Sequence, residues 1–450
     1  MLKKFIGIQL ILILFLTKIS YAQSLIRDGE VEKFLYDLSN PIFTAADLES
    51  GNIKIYIIND SSINAFVALG QNIFINTGLI FKYQTPDTLI GVIAHEVGHI
   101  KGGHLARAGE GADGANNAMI LSYLLGLGAI VSGAPDAGAA LILGGSQSAQ
   151  RLYMKFTRTQ EEAADQYAVA YLQKIAYPPD GLIKLLQFFD SEMIPYKNQI
   201  DEYLLSHPVS KKRIDLLKSR TQSWNFSNKK TNDKLQKQMN RISAKLEGFI
   251  ANPDETLEKY QNKDDENSNY AKSIAFFRLG KIARALELLN PIIEKNPNDG
   301  FLYELKAQML FENGQMQNAV LLYHYALKLI PPRYNAMTKV SFAASILGVK
   351  TNDLALINLA IKNLKEAQVK EDDNAIILKY LSDAYNKIHE EGKSYLALAQ
   401  YNFAINQEEK AEKYAKQAKE KLKKTDKIEL LALEDLLEEI KSNKAEKKRF

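Results

Sequence analysis

The sequence predicts an α+β fold, mostly α: a mixed domain around a small β-sheet, followed by an all-α solenoid. Three observations predict it. Short β-branched and aromatic runs between residues 53 and 77 stand ahead of an apolar run at helical spacing. Helical periodicity dominates the chain beyond that point. Past residue 268 small residues recur 34 positions apart. A length of 450 residues also exceeds what one compact core accommodates, so two or three domains are expected.

The elements come in order along the chain. Lys3 and Lys4, the apolar run Phe5 to Thr17 and the small-x-Ala site Ser20-Tyr21-Ala22 read as a signal peptide over residues 1–22. The run is about 13 residues, short of the roughly 20 that cross a bilayer as a helix. No cysteine follows it, which rules out a lipid-modified cysteine anchor, disulfides and thiolate chemistry. A secreted, cysteine-free chain fits a bacterial periplasm.

A first domain is expected over residues 23–225. Ile53 to Ile58, Ala65 to Ala68 and Asn72 to Thr77 are strand candidates, and Thr88 to Ile100 is a helix stopped by Gly102-Gly103. Residues 119–143 are apolar, divided by Gly133 and Pro135. They read either as a buried helical hairpin or as a peripheral contact with a membrane or membrane-bound partner, neither half being long enough to span. A charged helix runs from Arg151 to about Ile175 and stops before Pro178-Pro179.

Residues 226–268 are polar and lysine-rich and read as a connecting segment. A repeat domain is expected over 269–440, with a basic tail over 441–450. Gly280, Ala285 and Pro297 recur as Gly314, Ala319 and Pro331, the period of the tetratricopeptide helix pair. Phe276, Tyr303 and Tyr323 supply bulk between the small residues. Gly348 and Ala355 suggest an imperfect third copy, and Tyr401, Ala411, Ala415 and Ala418 a fourth. The net charge of +4 gives no argument for a nucleic-acid partner.

The chemistry centres on His95-Glu96-Val97-Gly98-His99. Four residues are about one helical turn, so His95 and His99 share a face and can reach one metal ion, with Glu96 placed as general base. A catalytic zinc takes a third protein ligand and keeps one position open. Without cysteine, a carboxylate of Glu161-Glu162-Ala163-Ala164-Asp165 is the best source. On spacing alone either Glu161 or Glu162 could serve, and Asp165 lies one turn beyond Glu161. His104 reads as a packing or hydrogen-bonding residue, led off the ligand helix by the glycine pair.

The HExxH helix, followed some 60 residues later by Arg158-x-x-Glu161-x-x-Ala164-Asp165, resembles the gluzincins, the group of CAAX prenyl proteases and membrane heat-shock endopeptidases. Asn64-Ala65-Phe66-Val67 and Asn76-Thr77-Gly78-Leu79-Ile80 resemble that family's edge strand and following turn. Ser206-His207-Pro208 with Arg213 resembles its late His-Pro element. The motifs cover roughly residues 60–215, and the repeats extend the likeness to family members of the bacterial periplasm.

The resemblance implies a zincin-type metalloprotease domain with one Zn2+ per chain on His95, His99 and Glu161, Glu96 as base, and Asp165 as proton donor or histidine-orienting group. It leaves His207 as a fourth ligand or, with Arg213, an oxyanion stabiliser. It implies unfolded or misassembled proteins as substrates, laid along Asn64, Ala65, Phe66 and Val67. It also implies outer-membrane β-barrel assembly machinery as a partner of the repeats, so that a chaperone-like assembly factor is the rival to a protease.

Overall fold

A computed structural model describes residues 25–49, 51–68, 71–104, 147–192, 207–224, 233–371 and 374–447. The expected signal peptide and the apolar segment 119–143 lie outside these residues. The chain divides into two compact units, one of residues 1–27 and 34–243, the other of 28–33 and 244–450.

The first unit opens with β1 (Leu25–Ile26) and α1 (Gly29–Ala45), whose first residues belong to the second unit. β2 (Ile55–Ile58), β3 (Ala65–Ala68) and β4 (Asn72–Asn76) come next. The sheet order is β1-β2-β4-β3, with β2 parallel to β4 and the other pairs antiparallel. β3 is therefore an edge. The Asn64 carbonyl accepts from the Asn76 N–H. Ala65 and Val67, at alternate positions, then turn their main-chain groups away from β4. Tyr56, Phe74 and Phe66 form a stacked row across the sheet, each centroid step 5.2 Å.

α2 (Thr77–Lys82) leads to α3 (Pro86–Gly102), the HExxH helix. Pro86 suits its first turn, where the missing N–H is not needed. α3 is closed by Gly103 at φ 63°, a left-handed position that glycine adopts without steric penalty. α4 (Gln147–Lys174) carries Glu161 and Asp165, and α5 (Asp180–Glu192), α6 (Lys211–Thr221) and α7 (Asp233–Ile250) succeed it. α3 and α4 approach closely because Gly98 lacks a side chain: a Cβ there would lie 2.6 Å from the Ala164 carbonyl oxygen. Gly91 does the same against Leu182 of α5, where a Cβ would meet backbone at 2.8 Å. Leu89, Ile93, Ala94, Val97, Ala168 and Leu172 are fully buried around these contacts.

In the second unit α8 (Pro253–Lys259) precedes helices that run in pairs. They are α9 (Glu266–Arg278) with α10 (Ile282–Lys295), α11 (Gly300–Glu312) with α12 (Met316–Leu329), and α13 (Ala336–Gly348) with α14 (Leu354–Gln368). α15 (Ala375–Lys387), α16 (Glu391–Ala404) and α17 (Glu408–Lys421) then pack in succession, α16 against both neighbours, and α18 (Lys427–Lys447) ends the series. Ala285, Ala319, Ala411, Ala415 and Ala418 are fully buried. Gly280 and Gly314 sit in equivalent turns at φ 72° and 78°.

Two sequence expectations differ from this arrangement. The segment 226–268 is helical from Asp233 onward. Its lysines and glutamines dilute, in sequence, an apolar stripe of Met239, Ile242 and Leu246 that is buried. In the third pair the turn is longer, so Ala355 is exposed. Ile357, fully buried, takes the inward position instead.

Candidate metal centre

α3 presents His95 and His99 on one face, as their spacing requires, and α4 brings Glu161 opposite them. His95 Nε2 lies 3.1 Å from His99 Nε2. Glu161 places Oε2 3.2 Å from His95 Nε2 and Oε1 3.2 Å from His99 Nε2. His207, from the segment leading into α6, completes the group: its Nδ1 is 3.4 Å from His95 Nε2 and 3.3 Å from Glu161. Its Nε2 lies 3.1 Å from the outward carbonyl of Ala65 and 3.5 Å from Glu96 Oε1.

The donor set fits a metal ion. Ligand atoms of His95, His99, Glu161 and His207 all lie within 4.8 Å of one another. Ligands about 2.0–2.2 Å from one tetrahedral ion stand roughly 3.3–3.5 Å apart, close to the separations found. Both carboxylate oxygens of Glu96 are buried without a hydrogen-bond partner, so this carboxylate is free to meet a water.

Behind the group, Asp165 Oδ1 is 3.0 Å from His95 Nδ1. Arg213 donates Nε to Asp165 Oδ2 at 2.7 Å and Nη2 to Oδ1 at 2.9 Å. Its Nη1 reaches the Pro208 carbonyl at 2.8 Å and stands 2.9 Å from Glu161. One guanidinium, itself 1% exposed, thus ties both carboxylates to the His-Pro turn. His104 completes the surroundings, Nδ1 against His99 Nδ1 at 3.0 Å. Nothing in the sequence spacing marked that contact.

These neighbours set the charge states of the metal-free site. Burial raises Glu96. Burial alone would depress His95, but Asp165 and Glu161 outweigh it and push the imidazole up to about 10. His99 is lowered to about 3 by burial. Burial opposes ionisation of Glu161, yet His207, Arg213 and His99 hold it well below the usual carboxylate range. Asp165 is lowered against burial chiefly by Arg213 and His95. His207 is raised against burial by Glu161 and Glu96.

Residues 27–221 match the model of "Peptidase family M48". The protein is a metalloendopeptidase with an M48 peptidase domain. The β-barrel assembly-enhancing protease of Yersinia pestis is 22% identical over 386 residues, covering 84% of this chain and 70% of the relative. That of Escherichia coli K12 is 23% identical over 410 residues, covering 87% and 77%. The metalloprotease LoiP of the same organism is 26% identical over 155 residues, covering 34% and 58%. The first two likenesses extend well beyond the M48 domain; the third is of domain length.

The M48 domain brings every residue expected at the centre into it: His95, Glu96, His99, Glu161, Asp165, His207 and Arg213. Of the expected edge-strand residues, Ala65 touches the centre through His207, while Phe66 and Val67 continue along β3. Asn64 is buried beside them. Glu162 faces outward, paired with Lys212 at 2.7 Å.

Proposed function

We propose that this protein is a zinc-dependent endopeptidase of the periplasm, with the metal on His95, His99 and Glu161 and Glu96 as general base. The observation that carries this reading is the convergence of three donors beside a buried carboxylate with no hydrogen-bond partner. Zinc bound there would polarise the scissile carbonyl and acidify the attacking water. Glu96 takes that water's proton as the oxygen adds to the carbonyl carbon, and passes it to the amine nitrogen when the C–N bond breaks. Its raised pKa suits both halves of that task. Asp165 orients His95 through Nδ1. Arg213 holds Asp165 and Glu161, a positioning role, since its nitrogens are committed to carboxylates and a carbonyl.

An extended substrate would add as a strand to the outward groups of Ala65 and Val67. That mode reads backbone and suits unfolded or misassembled chains. His207 competes with it, because its Nε2 already meets the Ala65 carbonyl while its Nδ1 faces the metal position. His207 therefore acts as a gate, and moving it frees both the fourth position and the edge. Similarity to proteins named for β-barrel assembly over most of both chains supports action on outer-membrane proteins, with the helix pairs docking the assembly machinery.

The test is metal content and cleavage of an unfolded protein by the purified chain. One zinc per chain is expected, with Glu96→Gln keeping the metal and losing about 10²–10⁴-fold in turnover. His207→Ala is expected to raise turnover. If Glu96→Gln preserved the cellular role of the protein, the chaperone-like reading would replace the proteolytic one. A chain that binds no metal would end the zinc reading.

A further inference from the structure

The end of α3 does more than stop a helix. The Gly103 N–H donates to the Ile100 carbonyl and the His104 N–H to the His99 carbonyl, both at 3.1 Å. This is the Schellman arrangement, which returns the second residue after the helix cap to the position five residues earlier. An apolar contact usually accompanies that return. Here the two residues brought together are His104 and His99. Their rings meet edge to face, centroids 4.9 Å apart and planes at 82°, with the Nδ1 atoms 3.0 Å from each other.

His99 has its other nitrogen, Nε2, among the converging donors. An imidazole that ligates through Nε2 carries its remaining proton on Nδ1, and that N–H is held best by an acceptor. We propose that His104 is the positioning residue for His99: its Nδ1 accepts the His99 Nδ1–H, fixing the tautomer and ring that present Nε2 to the metal. His104 must then carry its own proton on Nε2. The two histidine ligands are thus held by unlike partners, His95 by the Asp165 carboxylate and His99 by a neutral imidazole.

Two more features support a built contact. His104 is 8% exposed, and its carbonyl lies 3.4 Å from Gln160 Nε2 of α4, which ties the turn to the helix bearing Glu161. Gly102 makes room for the ring: a Cβ there would lie 2.3 Å from His104 Nε2 and 2.7 Å from its Cδ2. An alanine at 102 would therefore displace the His104 ring tip, although alanine is ordinarily the better residue in a helix.

The inference rests on the metal-centre reading, and zinc affinity tests the two separately. The full chain and its variants would be titrated with zinc against a chromophoric chelator, with thermal melts of the metal-free forms alongside. His104→Ala and Gly102→Ala are each expected to weaken zinc binding about 10–100-fold, Gly102→Ala without a fall in melting temperature. His104→Asn, which can place an amide oxygen near the position of Nδ1, is expected to recover most of the affinity. Should His104→Ala fail to fold, Gly102→Ala still decides, since it keeps the imidazole and only moves it. Zinc binding by both alanine variants within about twofold of the wild type would overturn the proposal and leave the metal centre standing. An Asn variant as weak as the Ala variant would overturn it too, by showing that bulk rather than an acceptor matters. No zinc binding by the wild type would overturn both readings.

Discussion

At the residue scale the site is held by one buried cation. Arg213 neutralises Asp165 and Glu161 together, so removing it leaves two buried carboxylates short of a partner. Arg213→Met is expected to destabilise the M48 domain by about 3–5 kcal/mol, read by denaturant unfolding of the metal-free protein. Loading metal should also expel protons. His95, raised to about 10, is protonated at neutral pH without metal, and it must be neutral to ligate. Calorimetry at pH 7.5 in buffers of different ionisation enthalpy is expected to show at least one proton released per zinc, with affinity falling as pH falls. No release at all would contradict the assigned charge states. His95, Glu96 and His99 were legible in the sequence because their geometry is local to one helix. Glu161 and Glu162 could not be separated by spacing, because the choice is made by which face of α4 meets α3. His104 reads in sequence as a packing or hydrogen-bonding residue led off the ligand helix. It does lie past the helix end, and the left-handed Gly103 turns it back onto His99, a partner the spacing did not name.

At the element scale, small residues decide how closely helices and turns can be built. Gly98 and Ala164 let α3 and α4 approach until the histidines and Glu161 share one point. Gly98→Ala puts a methyl against backbone that cannot swing aside, unlike the side chain facing Gly102. It is expected to cost about 1–3 kcal/mol in stability and to weaken zinc binding at the same time. A variant with unchanged affinity would show that the close approach does not set the site. In the repeats the matching constraint is the turn. His389 and Asn406 stand at φ 58° in turns equivalent to those of Gly280 and Gly314. A left-handed conformation is disfavoured by roughly 1–2 kcal/mol for residues with a Cβ. His389→Gly is therefore expected to raise stability by about 1 kcal/mol, checked by thermal unfolding. This explains why the 34-residue period faded after two copies: the later turns keep the conformation but not the glycine, and the third pair lengthens its turn.

At the scale of the whole molecule, the two units should answer pH differently. In the second unit Lys245 is buried between Asp28 at 2.7 Å and Glu30 at 3.0 Å. Glu304 is a third carboxylate beside this lysine and accepts from Thr338. Burial raises Glu304 to about 7; Lys245 opposes that rise, and Asp28 and Glu30 add to it. The folded unit therefore holds the Glu304 proton more tightly than the unfolded chain does. The resulting stabilisation is complete below the ordinary value of 4.5 and is lost as pH rises to about 7. Glu161 and Asp165 of the M48 domain work in the opposite sense: being lowered, they favour the folded state above their ordinary values and lose that contribution in acid. Glu304→Gln isolates the first effect, because glutamine keeps an acceptor for Thr338 and cannot ionise. The variant is expected to melt with the wild type at pH 5 and above it at pH 8, in the transition of the second unit. A constant offset at both pH values would assign the difference to packing and remove the charge argument.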